Sequence, residues 1–146
     1  MQDVCAQQPA LTLFFDGSCP LCLAEMDLLK HKDQGGVLKF EDITGKDFSV
    51  ERHGFSCELA MKSIKGKTST GELLDGVAVF AKAYELVGMK RYAQLLGAPR
   101  LQGLLSWAYL KFAKHRHILS KALGPLALKL VHLYIKKTPL KSTPQV

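Results

Sequence analysis

The last 61 residues contain no acidic side chain: all 13 Asp and Glu lie at or before Glu85, whereas 11 of the 20 Lys and Arg follow it. Up to Glu85 the balance is 9 basic against 13 acidic groups, or −4, so the net charge of +7 describes a mildly acidic body followed by a basic half. The chain also lacks any uncharged apolar run near the roughly 18 residues that span a bilayer, Leu101 to Leu110 being the best, which argues against a transmembrane helix. "MQDVCAQQPA" has neither a basic n-region nor an apolar h-region, so no secretory signal is read and a cytoplasmic location is expected. No internal repeat and no low-complexity tract is present, and the five histidines form no Ser/His/Asp arrangement. Proline is absent between Pro20 and Pro99. Only four cysteines occur, and a reducing compartment turns them towards metal or redox chemistry rather than a disulfide framework.

What is present begins with "LTLFFDGSCPLC". Leu11 to Phe15 reads as a buried strand that ends at the turn residues Asp16, Gly17 and Ser18. Pro20 suits the first position of a helix that carries Leu21/Cys22, Met26 and Leu29 and stops near Gln34-Gly35-Gly36. "VLKFEDI" alternates as a second strand, which makes a βαβ unit with a parallel pair. Residues 47 to 58 have the pattern of a short irregular helix, "LAMKSIKG" and "GELLDG" flank a hairpin turn at Lys67 to Thr70, and "VAVFAKAYELVG" has helical spacing. The expected fold class is α/β, order βαβαββα, with an additional basic helical C-terminal extension broken at Gly97-Ala98-Pro99 and Gly124-Pro125. The expected organisation is a tail at 1–9, a core at 10–97, basic helices packed on it at 98–137, and a flexible tail at 138–146.

A strand that delivers Cys19 to a turn before a helix puts this cysteine at the N-cap. There its sulfur can accept the free N–H groups of Leu21 and Cys22 and feel the positive end of the helix dipole, which favours thiolate. Cys19 is therefore the expected nucleophile and Cys22 the thiol that resolves a mixed disulfide. Asp16 fits two roles equally: acceptor of the Cys22 proton, or an Asx-type turn at the strand end. A zinc site built from Cys19, Cys22, His53 and Cys57 is the metal alternative, but no second close cysteine pair accompanies the first. Cys5 and Cys57 read most simply as incidental thiols.

"FDGSCPLC" after an apolar strand resembles the D-x-x-C-x-x-C signature of the DCC family of thiol-disulfide oxidoreductases, with Asp16, Cys19 and Cys22 matching it residue for residue. "STGELLDGVAVFAKAYE" and "WAYLKFAKHRH" are similar to later segments of that family, over roughly residues 10 to 120. The resemblance implies a thioredoxin-like fold and dithiol/disulfide exchange, with no cofactor required. Thioredoxins carry a cis-proline at the start of the third strand; here residues near Ala60 or Met61 would stand there with a trans bond. Protein or small-molecule disulfides are the expected substrates, with glutathione or a thioredoxin system as reductant. The rival reading is a non-enzymatic metal-binding or redox-sensing adaptor.

In the basic half, Leu101, Leu104, Leu105, Ala108 and Phe112 share a helix face expected to pack on the core. Leu126, Leu130 and Leu133 make a further apolar face, also read as spent on the core, while Lys129, His132 and Lys136, with Lys137, form a basic one. This basic face is either solvated or a peripheral docking surface for an anionic membrane. No recognition motif for nucleic acid accompanies the charge.

Overall fold

A computed structural model of the chain describes residues 8–49 and 52–139, apart from the Cys57 side chain. The apolar run Leu11–Phe15 forms β1, followed by α1 (Pro20–Lys32) and β2 (Leu38–Asp42). Then come α2 (Cys57–Lys62), β3 (Lys65–Thr68), β4 (Leu73–Asp75), α3 (Val77–Leu86), α4 (Lys90–Leu96) and α5 (Gln102–Lys137). The strands make one mixed sheet in the order β2-β1-β3-β4. β1 pairs parallel with β2 and antiparallel with β3, and β3 with β4 is an antiparallel hairpin.

Because side chains alternate along a strand, β1 feeds two cores. Leu11, Leu13 and Phe15 pack with Met26 and Leu29 of α1 and Val79 of α3. Phe14 points to the other face, where it meets Ile43, Ala60 and the rings of Phe48, His53 and Phe55.

The hairpin lies where expected, but its first strand begins only at Lys65. Leu59 to Lys62 belong instead to α2, which takes the place of the irregular helix expected at 47–58. Ser56 caps this helix by accepting the Leu59 N–H at 3.2 Å, and Glu58 pairs with Lys62 one turn on at 2.7 Å. Ala60 and Met61 are consequently helical, and Ser63 and Ile64 lead into β3; the described residues contain no cis peptide bond.

The break expected at Gly124-Pro125 does not occur. α5 runs through it for 36 residues, about 54 Å at 1.5 Å per residue. A proline inside a helix removes one backbone hydrogen bond and crowds the preceding turn. Here both halves are held against the same partner, α1. Ser120 accepts the Leu21 N–H at 3.1 Å before the proline, and Lys32 donates to the Tyr134 hydroxyl at 2.6 Å after it. Gly124 makes the approach possible, since a Cβ there would lie 2.5 Å from the Pro20 ring.

The outer face of α5 is not spent on the core. Leu126, Leu130 and Leu133 are 56%, 57% and 46% exposed, and Leu104 is 62% exposed, so only part of the upstream apolar face packs inward. By length and composition α5 is long and apolar enough to cross a membrane: its most apolar 18-residue stretch has a mean hydropathy of 1.4 and is 11% buried. The expectation against a transmembrane helix rested on uncharged runs alone.

Candidate active site

The end of β1 and the start of α1 are locked together by short-range hydrogen bonds. Cys19 is the N-cap, with extended backbone (φ −101°, ψ 107°), and Pro20 follows it inside the helix. The Cys22 N–H donates to the Cys19 Sγ at 3.3 Å, and the Leu23 N–H to the Cys19 carbonyl at 2.9 Å. The second amide expected on the sulfur is committed elsewhere, because the Leu21 N–H donates to Ser120. Gly17 packs directly on Asp42: its N–H donates to Asp42 Oδ1 at 3.0 Å, and a Cβ would stand 1.9 Å from Asp42 Oδ2 unless that carboxylate moved. Burial pushes the Asp42 carboxyl up, but hydrogen bonds from the Thr44 hydroxyl and from the Thr44 and Gly17 amides outweigh it and hold it below the usual range.

Asp16 makes the turn expected of it and pairs with a cation as well. Oδ1 accepts from the Ser18 amide at 2.9 Å and from the Ser18 hydroxyl, which is the Asx-type turn. Oδ2 makes no aligned hydrogen bond and faces Arg116 Nη2 at 3.2 Å. Asp16 and Arg116 are 2% and 6% exposed, a buried ion pair that also ties α5 to α2 through the Arg116 donation to the Met61 carbonyl at 2.6 Å. Breaking such a pair leaves an uncompensated charge and typically costs about 3–5 kcal/mol.

The two thiols are free and differ in access: Cys19 is 0% exposed, Cys22 half-buried. Burial pushes the Cys22 thiol strongly up, reinforced by its contact with the Cys19 side chain and opposed by the charge of Arg116. Cys22 lies on the wall of a cavity of about 590 Å³ between the sheet, α1, α3, α4 and α5; Asp16 and Arg116 share that wall, and Cys19 does not reach it. Most of the wall is apolar. Two polar pairs lie in it: Tyr84 donates to Glu25, and the Ile64 N–H donates to the Tyr109 hydroxyl at 2.7 Å. Burial raises the Glu25 carboxyl, partly offset by that hydrogen bond, and pushes the Tyr109 phenol up to about 12.

The sequence pattern of the DCC1-like thiol-disulfide oxidoreductases matches residues 13–122, which is the region just described. The chain belongs to this family. An uncharacterized chloroplastic protein of Arabidopsis thaliana is 35% identical over 81 residues, covering 54% of this chain. The chain spans only 38% of that relative's length. No solved structure matches it.

In this DCC1-like chain the motif residues Asp16, Gly17, Ser18, Cys19, Pro20 and Cys22 converge at one place. The metal alternative does not come together among the described residues. No group of three or more His, Cys, Asp and Glu is placed to hold an ion, and His53 is stacked on Phe48, 5.5 Å between centroids, in the aromatic cluster against Phe14. The Cys57 side chain and Cys5 lie outside the described residues. On the expected basic face, Lys129, Lys136 and Lys137 are exposed, but His132 Nε2 sits 3.0 Å from Asp27 Oδ2 of α1 and is not free for a partner. Arg116, Ser120, Tyr109 and Asp42 are site residues that sequence reasoning did not assign. "WAYLKFAKHRH" contains both Tyr109 and Arg116, so the similarity of that segment was the available signal for two of them.

Proposed function

We propose that the chain is a dithiol/disulfide exchange enzyme on a thioredoxin-like core, acting through the Cys19–Cys22 pair. The observation that carries this reading is the contact of the two thiols at the N-terminus of α1, with the Cys22 amide on the Cys19 sulfur. That is the place where backbone donors and the helix dipole stabilise negative charge. Cys19 attacks one sulfur of a substrate disulfide, forming a mixed disulfide and expelling the other sulfur as a thiol. Cys22 then gives its proton to Asp16 Oδ2, the oxygen that makes no aligned hydrogen bond, and attacks Cys19 Sγ. The second substrate thiol leaves and the protein holds a disulfide. No cofactor takes part. For a bulky disulfide to reach Cys19, the Ser120 to Gly124 stretch of α5 must lift off the start of α1.

A Cys22→Ser variant incubated with a small uncharged disulfide, hydroxyethyl disulfide, should accumulate a mixed disulfide at Cys19, read by peptide mass spectrometry. Absence of any adduct at Cys19, or equal slow labelling of every cysteine, removes the reading. Stoichiometric metal on protein purified under reducing conditions would support the adaptor alternative instead. A reducing compartment, cytoplasmic on the sequence reading, is part of this proposal. A second component is peripheral association with anionic membranes, supported by the exposed leucines and lysines that share the outer face of α5.

A further inference from the structure

Closure of α5 leaves one way to the redox pair. Cys19 is fully buried at the helix start where Ser120 and Gly124 of α5 meet Leu21 and Pro20, whereas Cys22 forms part of the wall of the 590 Å³ cavity. That volume is in the range of small-molecule sites, about 300–1,000 Å³. The wall around Cys22 is built from side chains such as Leu21, Met26, Phe80, Leu105 and Phe112. Most of its polar groups are paired with one another, Tyr84 with Glu25 by a hydrogen bond and Arg116 with Asp16 as an ion pair. Of the backbone leading into β3, where an extended peptide could pair, the Ile64 N–H is already taken by Tyr109, and the carbonyl of Met61 at the end of α2 is taken by Arg116. The cavity therefore rewards apolar surface and offers little to a peptide or a multiply charged molecule.

We infer that this cavity binds a small apolar thiol, which reduces the Cys19–Cys22 disulfide by attacking Cys22. The inference rests on the exchange reading above and assigns its reductant. The thiol RSH loses its proton to solvent, and its sulfur attacks Cys22 Sγ, the sulfur on the wall. The Cys19–Cys22 bond breaks, and Cys19 departs as the sulfur whose charge the Cys22 amide and the α1 N-terminus stabilise. A second RSH attacks the thiol-derived sulfur of the mixed disulfide, releasing RSSR and the Cys22 thiol. Two thiols are oxidised to one disulfide while the protein disulfide becomes a dithiol, so protons and electrons balance. Glutathione, with its carboxylates and ammonium, fits this wall poorly.

The test reduces the oxidised full chain with benzyl mercaptan and with glutathione, each rate divided by that thiol's rate with an exposed reference disulfide. Benzyl mercaptan should be favoured by at least about 30-fold, the scale expected from burying a phenyl-sized apolar surface. An acid quench should find the benzylthio group on Cys22. Ala113→Trp, which fills the cavity from α5, should pull the ratio towards one; if that variant does not fold, Ala108→Trp at the cavity wall carries the same test. A wild-type ratio near one, or an adduct on Cys19, overturns the inference and leaves the exchange reading intact. Failure of the Cys19–Cys22 disulfide to form under oxidant overturns both.

Discussion

Gly17 and Asp42 are coupled by contact, and the coupling can be measured. A methyl at position 17 must displace the Asp42 carboxylate, which is the movable end of a side chain and not backbone. The cost of Gly17→Ala is thus the loss of the hydrogen bonds that Asp42 accepts from Gly17 and Thr44. We expect Gly17→Ala to destabilise by about 1–2 kcal/mol, and by clearly less when Asp42 is already Ala, a coupling on the order of 1 kcal/mol in urea unfolding. Additive costs would mean that the turn resists alanine for another reason. The same carboxylate sets a pH dependence. Its folded-state pKa is depressed, so its contribution is present above the ordinary carboxylate value and is lost as pH falls through the folded one. Asp42→Asn should therefore flatten that part of the acid limb while leaving stability near pH 7 lower. At Cys19 the sulfur receives one amide rather than two, and Pro20-Leu21 brings no charge between the cysteines. The pair should then have a potential between about −200 and −270 mV by equilibration with glutathione buffers. A value near the strongly oxidising −120 mV would show far greater stabilisation of the Cys19 thiolate.

α5 decides how exposed the chemistry is. The contact of Gly124 with Pro20 is close enough that Gly124→Ala must push α5 off the start of α1, because the proline ring cannot turn aside. The expected result is a destabilisation of about 1–3 kcal/mol, typical of overpacking, together with at least a severalfold faster reaction of Cys19 with iodoacetamide. Ser120→Ala should speed the same reaction more modestly by releasing the Leu21 amide. Unchanged alkylation in Gly124→Ala would show that α5 does not control access. This contact also marks where sequence reading stops. Strand, turn, N-cap and helix from Leu11 to Lys32 were legible because their signals are adjacent: an apolar run, turn residues, a proline at the first helical position. Arg116 and Ser120 were not, since they meet Asp16 and Leu21 about a hundred positions away, across a packing of α5 on α1 that no local pattern encodes. Pro125 misled for a related reason. Its local penalty is real, but tertiary contacts on both sides of it keep the helix whole. The start of β3 was placed too early because the alternation in "LAMKSIKG" outweighed the capping signal of Ser56.

On the scale of the whole molecule, the acidic body and the acid-free half set up a two-sided surface. The sequence reading allowed electrostatic association alone, on the ground that Leu126, Leu130 and Leu133 were spent on the core. They are about half exposed, and at 100° per residue they share an outward arc of α5 with Lys129, Lys136 and Lys137, opposite the Ser120 and Gly124 side that meets α1. His132 is withdrawn from this face by Asp27. Three lysines near an anionic bilayer contribute about 1 kcal/mol each, and leucines able to enter the interface add a term that salt does not screen. Binding to phosphatidylglycerol vesicles should therefore be strong at low salt, weaken as the Debye length shortens, and keep a residual component at several hundred millimolar. Neutral vesicles should retain only that weaker component. Changing Lys129, Lys136 and Lys137 together to Gln should remove the salt-sensitive part, and Leu126→Gln with Leu130→Gln the residual one. A wild-type protein that stays in the supernatant with anionic vesicles at low salt would assign this face to solvent or to a protein partner, and the membrane proposal would be dropped.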